Sequence, residues 1–361
     1  MQIEKVRTDL FTIALEETLS DSTHGDMPSF ELVTVRITDS DGAEGLGYTY
    51  TVGRSGAAIL SLVDKELAPL LIGEDADRIE RIWKRLWWGL HYAGRGGQAS
   101  FAISAVDIAL WDLKSKRAGA PLWTFLGGHD PKVPAYAGGI DLWFPIDKLL
   151  RQTEANLARG FRAIKMKVGR PNTGEDVERV REMRAYLGDG FPLMVDANMQ
   201  WRVDQAIRAS RLLADHDVYW LEEPIIPDDY AGHARITAEA PLPVATGENM
   251  HTLHEFRTMI AAGGVDFPEP DCSNCGGITG WMKVAHLAEA SNLPVTTHGI
   301  HDIHVHLLAA VPNASYLEAH GFGLERYMAE PLKIVDGLAT APDRPGHGVA
   351  LDWNRLESLR A

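Results

Sequence analysis

The chain has 361 residues, 45% of them hydrophobic, and a net charge of −15. This length buries a large core and suggests two domains, while the acidity argues against a nucleic-acid partner, whose phosphates need clustered Lys and Arg. The opening MQIEKVRTDLF has no apolar core of a secretory signal, and no apolar run approaches the ~20 residues of a membrane span, so a cytoplasmic protein without a membrane partner is expected.

The first 130 residues read as a small α+β domain. Val6 to Leu15 and Glu31 to Asp39 read as strands, and Asp39-Ser40-Asp41-Gly42 supplies hairpin-turn chemistry before a third strand, Glu44 to Tyr50. Helical patterns follow at Ala57 to Leu71, Arg78 to Leu86 and Ala99 to Arg117, and Gly119 and Pro121 stop the last of them.

From residue 131 to 321 the pattern changes to strand, helix, strand, helix. Strand candidates begin near residues 133, 163, 193, 219, 243, 265, 294 and 315, steps that leave room for a return helix each time. Eight such units predict a parallel (β/α) barrel, an α/β fold whose active site sits at the carboxyl ends of the strands. An open doubly wound sheet is disfavoured because no strand-helix junction carries Gly-x-Gly-x-x-Gly. Residues 322 to 361 are expected to pack back on the first domain.

Three runs, LMVDAN, YWLEEP and PVATGEN, each place a carboxylate at the end of an apolar strand. These are Asp196, Glu222 and Glu248, 26 residues apart both times. Buried carboxylates need neutralising, and three converging ones suit a hard divalent cation such as Mg²⁺, which prefers oxygen ligands. Upstream, AIKMKVG sets Lys165 and Lys167 two apart, on one face of a strand. Mutual repulsion and a nearby cation are expected to lower their pKa values and leave a neutral amine able to act as a base. Downstream, Asp271 and His298 end neighbouring strands, a carboxylate-imidazole pair suited to acid/base work. Glu318, in YLEAH, adds a proton donor or hydrogen-bond partner for substrate oxygens. Such a set suits removal of a proton α to a carboxylate. Cys272 and Cys275, a C-x-x-C pair with no second pair, read as an ordinary loop before a helix. His301, His304 and His306 read as surface, cap or pocket-wall residues.

The ordered set of K-x-K strand, three carboxylates, Asp…His pair and final Glu resembles the enolase superfamily, in its mandelate racemase subgroup. The resemblance implies a modified (β/α)7β TIM-like barrel with an N-terminal capping domain, and Mg²⁺ on Asp196, Glu222 and Glu248. It implies Lys167 as one base, tuned by Lys165, and His298, oriented by Asp271, as the acid/base opposite. Asn198 is expected to help hold the substrate carboxylate. The runs HGDMPSFELV, GYTYTVGRSG, HYAGRGG, AVDIALWDLK and SNCGGITGW are similar to a branch acting on sugar acids. That branch implies loss of the C2 proton and expulsion of the C3 oxygen to give a 2-keto-3-deoxy acid. A cycloisomerase is the first reading and a galactarate/talarate-type dehydratase the alternative. A racemase or epimerase comes behind them, and a retired, purely binding relative last. His24, Asp26, Tyr48, Tyr50 and Arg54 are the candidates in the capping loops for contact with the hydroxylated end of the substrate. Glu269, where many relatives carry an uncharged residue, is expected to face a helix. A homo-oligomer, dimer or octamer, is expected by resemblance alone.

Overall fold

Apolar and polar residues alternate from Ile3 onward, and this pattern forms β1 (Ile3–Ser20) in the computed structural model, which describes residues 1–361. It pairs antiparallel with β2 (Asp26–Asp39), which pairs in turn with β3 (Glu44–Thr51). A register shift between Ala14 and Leu19 lets β1 run past Leu15, so the first two strands are longer than the sequence pattern predicts. At the second hairpin, Asp39 Oδ1 accepts the N–H groups of Asp41 and Ala43, both at 3.0 Å, and Gly42 takes φ +81°. A helical run follows at residues 56–71, then α1 (Ile79–Leu90) and α2 (Gln98–Arg117).

Helix α2 is buried along most of its length because β3 lies directly on it. A Cβ on Gly47 would sit 2.0 Å from the Ala105 carbonyl oxygen, and one on Gly45 2.1 Å from that of Ala109. Both obstacles are backbone, so they cannot swing aside. Gly47→Ala is therefore expected to lose about 3 kcal/mol through overpacking, read as a lower midpoint in denaturant; an unchanged midpoint would show that the sheet and helix have slack.

The second domain repeats strand and helix. Its strands are β4 (Lys132–Gly138), β5 (Ile164–Lys167), β6 (Leu193–Asp196), β7 (Val218–Glu222), β8 (Val244–Thr246) and β9 (Phe267–Pro268), all parallel in that order. The ring closes through residues 295–297. Thr296 N donates to Pro268 O at 3.0 Å, Ser315 N donates to Val295 O at 2.8 Å, and β10 (Leu317–His320) pairs parallel with β4. Seven helices, from Ile146–Ala158 to His301–Leu308, return the chain between strands. The (β/α)7β order matches the eight predicted strand positions. Residues Ile334–Val335 and Leu338–Thr340 add a hairpin to β4, and the last residues reach the first domain: Ala361 N donates to Leu10 O at 2.9 Å and Arg360 pairs with Asp9.

Strand alternation explains how the barrel interior is both plugged and functional. Met194 and Trp220 pack with Tyr136 and Ala245 across the inside of the barrel. Two residues further along the same strands, on the same face, stand Asp196 and Glu222. An aromatic floor thus lies under the carboxylates and keeps water from entering from below.

The helix His301–Leu308 corrects one expectation. His304 and His306 are fully buried, not surface or wall residues, because their helix packs inside the second domain. His304 Nε2 accepts the Cys272 N–H at 2.9 Å, and His306 Nε2 donates to His347 O at 2.9 Å. Burial, helped by the neighbouring His347, pushes His306 down to about 3. Because the unfolded chain binds this proton near 6.5 and the folded chain does not, His306 withdraws stability as pH falls from about 6.5 toward 3. His306→Gln keeps a donor and removes that proton. Its stability deficit against wild type should shrink by about 3 kcal/mol between pH 7 and pH 4, measured by chemical denaturation; a constant deficit would mean His306 stays out of acid unfolding.

Candidate active site

Asp196, Glu222 and Glu248 end β6, β7 and the segment after β8, and each has an oxygen within 4.8 Å of the others. All three are buried. Lys165 and Lys167, alternating inward on β5, lie against them. Lys165 Nζ pairs with Glu222 and, at 2.9 Å, with Glu318 Oε1, while Lys167 Nζ pairs with Asp196. Across the barrel mouth, His298 Nδ1 is 3.1 Å from Asp271 Oδ2, and its Nε2 is 3.2 Å from Glu248 Oε2. The lysines and the imidazole thus flank the carboxylates from opposite sides. Both Lys167 and His298 line one cavity of about 360 Å³ between the two domains.

The protein's own groups set a charge balance at the site. Burial alone would lower the lysines, but the carboxylates outweigh both burial and mutual repulsion and hold Lys165 and Lys167 above their ordinary value. The same excess of negative charge, against burial, lifts His298 to about 10, with Glu248 and Asp271 contributing most. Burial opposes ionisation of Glu318, yet Lys165 and His298 hold its carboxyl below the usual range, and its Oε2 accepts the Gly299 N–H at 3.1 Å.

The residues fit a hard divalent cation. Three buried carboxylates converge, and Glu248 Oε2 has no hydrogen bond despite its closeness to His298. Burial together with the neighbouring carboxylates leaves Glu222 raised. A cation on Asp196, Glu222 and Glu248 would relieve that charge. Around them, Asn249 Nδ2 donates to Glu223 at 2.8 Å and the Asn198 N–H donates to Asp196 Oδ1 at 2.8 Å, which orients the set.

The other predicted positions divide. Asn198, His24, Tyr50 and Arg54 line the cavity, whereas Asp26 is exposed outside it. Tyr48, one alternation away from the mouth, is fully buried and also off the cavity wall. Tyr50 acts inward: its hydroxyl donates to Asp271 Oδ2 at 3.3 Å. Glu269 does not face a helix. It is fully buried and accepts the Tyr136 hydroxyl at 3.2 Å from across the barrel, because β9 turns its side chain inward. Cys272 and Cys275 are buried free thiols in the turn before a helix, and burial pushes both up.

Sequence reasoning missed Asp21, Asn249 and His320, all on the cavity wall. Asp21 Oδ2 lies 2.7 Å from His24 Nδ1; burial resists, but this contact and Lys167 hold Asp21 near 2. The Asp-x-x-His spacing was a usable signal. His320 stands two residues beyond Glu318, so strand alternation alone places both on one face; its ring centroid is 5.2 Å from that of His298.

Comparison with known proteins agrees with this geometry. Residues 13–127 match the mandelate racemase / muconate lactonizing enzyme N-terminal domain, and residues 148–355 match the enolase C-terminal domain-like family. The chain is 61% identical over 357 residues to a 3,6-anhydro-alpha-L-galactonate cycloisomerase of Streptomyces coelicolor, covering 99% of both. It is 38% identical over 367 residues to an L-talarate/galactarate dehydratase of Salmonella typhimurium, covering 98% of this chain and 92% of that protein. Among solved structures, a Streptomyces coelicolor racemase with bound magnesium superposes with a TM-score of 0.98 at 60% identity, covering 99% of this chain and 100% of that one. An L-talarate dehydratase from Polaromonas complexed with Mg and L-glucarate gives 0.94 at 36% identity, covering 100% and 97%. With both domains matched, this chain belongs to the mandelate racemase/muconate lactonizing enzyme family of the enolase superfamily.

Proposed function

We propose that this protein is a Mg²⁺-dependent cycloisomerase that opens the ring of 3,6-anhydro-L-galactonate to a 2-keto-3-deoxy acid. The observation that carries the chemistry is the placement of Lys167 and His298 on opposite sides of one cavity, with the carboxylate triad between them. Identity of 61% along the whole chain supports the substrate.

Asp196, Glu222 and Glu248 would hold Mg²⁺, which would offset the charge that keeps Lys167 protonated and stabilise negative charge on the substrate carboxylate. Lys167 Nζ then removes the C2 proton. The electron pair left at C2 forms the C2–C3 double bond as the C3–O bond breaks. His298 Nε2 gives the departing ring oxygen a proton, which makes it the C6 hydroxyl. The resulting enol moves its hydroxyl proton to solvent and gains one at C3, so no atom is lost overall. Asp271, with the Tyr50 hydroxyl, fixes the imidazole so that Nε2 faces the substrate. Asn198 holds the carboxylate end, and His24 and Arg54 reach the oxygens at the other end.

A sugar acid whose C3 oxygen is a free hydroxyl would lose water in the same steps, and the similarity to a dehydratase keeps that reading second. The choice of substrate tests the assignment. Conversion of 3,6-anhydro-L-galactonate in preference to galactarate is expected; preferential loss of water from galactarate overturns it.

A further inference from the structure

The strand that carries Lys167 outruns its neighbour. Ala137 N donates to Ala163 O at 3.1 Å and Gly139 N to Lys165 O at 2.9 Å, so the next main-chain groups along that edge of β5 belong to Lys167. Strand β4 ends at Gly138, and Asp141 bridges to Ser20 of β1 instead, which leaves no strand to meet them. Two side chains take its place. Asp141 Oδ1 accepts the Lys167 N–H at 3.0 Å, and Arg179 Nη1, from the helix Thr173–Leu187, donates to Lys167 O at 2.6 Å.

The pair is itself held from several sides. Arg179 Nη2 donates to Asp141 O at 2.8 Å and lies 3.6 Å from Asp141 Oδ1, and Gln152 Nε2 donates to Asp141 Oδ2 at 2.8 Å. A Cβ on Gly139 would sit 2.1 Å from Asp141 Oδ2, so glycine there lets the carboxylate in. Asp141 is 1% exposed and Arg179 2% exposed. Burying two opposed charges is costly, and a neighbouring strand would satisfy the same two groups with no charge buried. What the pair adds is a rigid frame braced on two helices. A lysine reaches its target on a long flexible stem, and Lys167 Nζ pairs only with Asp196, so its place depends on where the main chain starts it.

We propose that Asp141 and Arg179 are positioning residues for the reaction: they clamp the main chain of Lys167 and so set where its Nζ meets the C2 proton. This rests on Lys167 acting as the base. Neither residue lines the catalytic cavity, so both act through Lys167 and not on the substrate. Lys165 is spared, since its carbonyl stays in the β4–β5 ladder, and the three carboxylates that would hold Mg²⁺ stand on other strands. A loosened clamp therefore slows proton removal and leaves substrate and metal binding alone.

Turnover of 3,6-anhydro-L-galactonate, or of galactarate should wild type prefer it, tests this on the full chain with saturating Mg²⁺. Calorimetric titration with Mg²⁺ counts the folded sites, and rates are taken per site. Arg179→Lys, whose single ammonium cannot span both carbonyls, should lower kcat about 10²-fold with KM unchanged, the scale of a misplacement of about 1 Å. Asp141→Asn keeps an acceptor for the Lys167 N–H and should recover most of the rate that Asp141→Ala loses. The isotope effect from C2-deuterated substrate should be at least as large in the slowed variants as in wild type. Should Arg179→Lys fail to fold, Gln152→Ala frees Asp141 Oδ2 from outside and should lower kcat per site in the same way. Wild-type kcat per site in the variants overturns the inference. So does a fall in kcat/KM carried by KM, which would place the pair in substrate binding, or a smaller isotope effect, which would mean that another step had slowed. Lys167→Ala, run in parallel, separates the two levels. Turnover in that variant removes the base and the clamp's role with it, whereas a dead Lys167→Ala beside fully active clamp variants overturns the clamp alone.

Discussion

Lys167→Ala is expected to lower kcat/KM by about 10³-fold or more, the scale of a positioned general base, while Mg²⁺ still binds. Two features of the site lead to that split. Lys167 faces the cavity and touches only one carboxylate, Asp196, whereas Lys165 lies deeper, between Glu222 and Glu318. Removing Lys167 therefore takes away the amine nearest the substrate but leaves all three carboxylates and one neutralising lysine in place. Titration with Mg²⁺ by calorimetry should show binding no weaker than in wild type, because a competing cation has been removed from Asp196. Wild-type turnover in this variant would remove Lys167 from the chemistry. Lost turnover together with lost Mg²⁺ binding would make Lys167 a structural support instead.

Asp196→Asn should act on the other half of the site. Asp196 is the carboxylate both lysines approach, and its Oδ1 also accepts the Asn198 N–H. The amide keeps that acceptor but loses the charge. Changes to groups around a bound metal commonly weaken affinity 10- to 100-fold, and loss of a ligand's charge should cost at least about 100-fold. In metal-free protein the variant also leaves Lys167 without its counter-ion. A buried charge that loses its partner typically costs about 3–5 kcal/mol, so the melting temperature should fall even without Mg²⁺. An unchanged Mg²⁺ isotherm would exclude Asp196 from the metal site.

Much of the molecule was readable from sequence because its signals are periodic. Eight strand starts followed from apolar runs at regular spacing, and Asp196, Glu222 and Glu248 followed from where three of those runs end. Alternation put Lys165 and Lys167 on one face, and the structure buries both there. What alternation could not give was the balance of charge. The sequence reading weighed mutual repulsion and a nearby cation, whereas the barrel's own groups surround the lysines with carboxylates that raise both. Glu269 escaped for a related reason. Its short strand β9 offers too few residues to fix a face, so its inward turn toward Tyr136 is visible only in three dimensions. The capping-loop residues were the least legible, since a loop has no period: His24, Tyr50 and Arg54 reach the cavity, while Asp26 and Tyr48 do not. The pairing of His24 with Asp21 depends on how the turn between β1 and β2 folds back over the barrel.

In the proposed reaction, the Lys167–His298 pair drives ring opening of an anhydro sugar acid. Proton NMR of 3,6-anhydro-L-galactonate in D₂O, with the protein and Mg²⁺, tests it most directly, with galactarate in a parallel tube. Complete loss of the C2 proton signal is expected, with a 2-keto-3-deoxy product carrying solvent deuterium at C3 and a product mass with no water lost. An unchanged anhydro acid beside galactarate that loses water would contradict it and assign the same residues to a dehydratase.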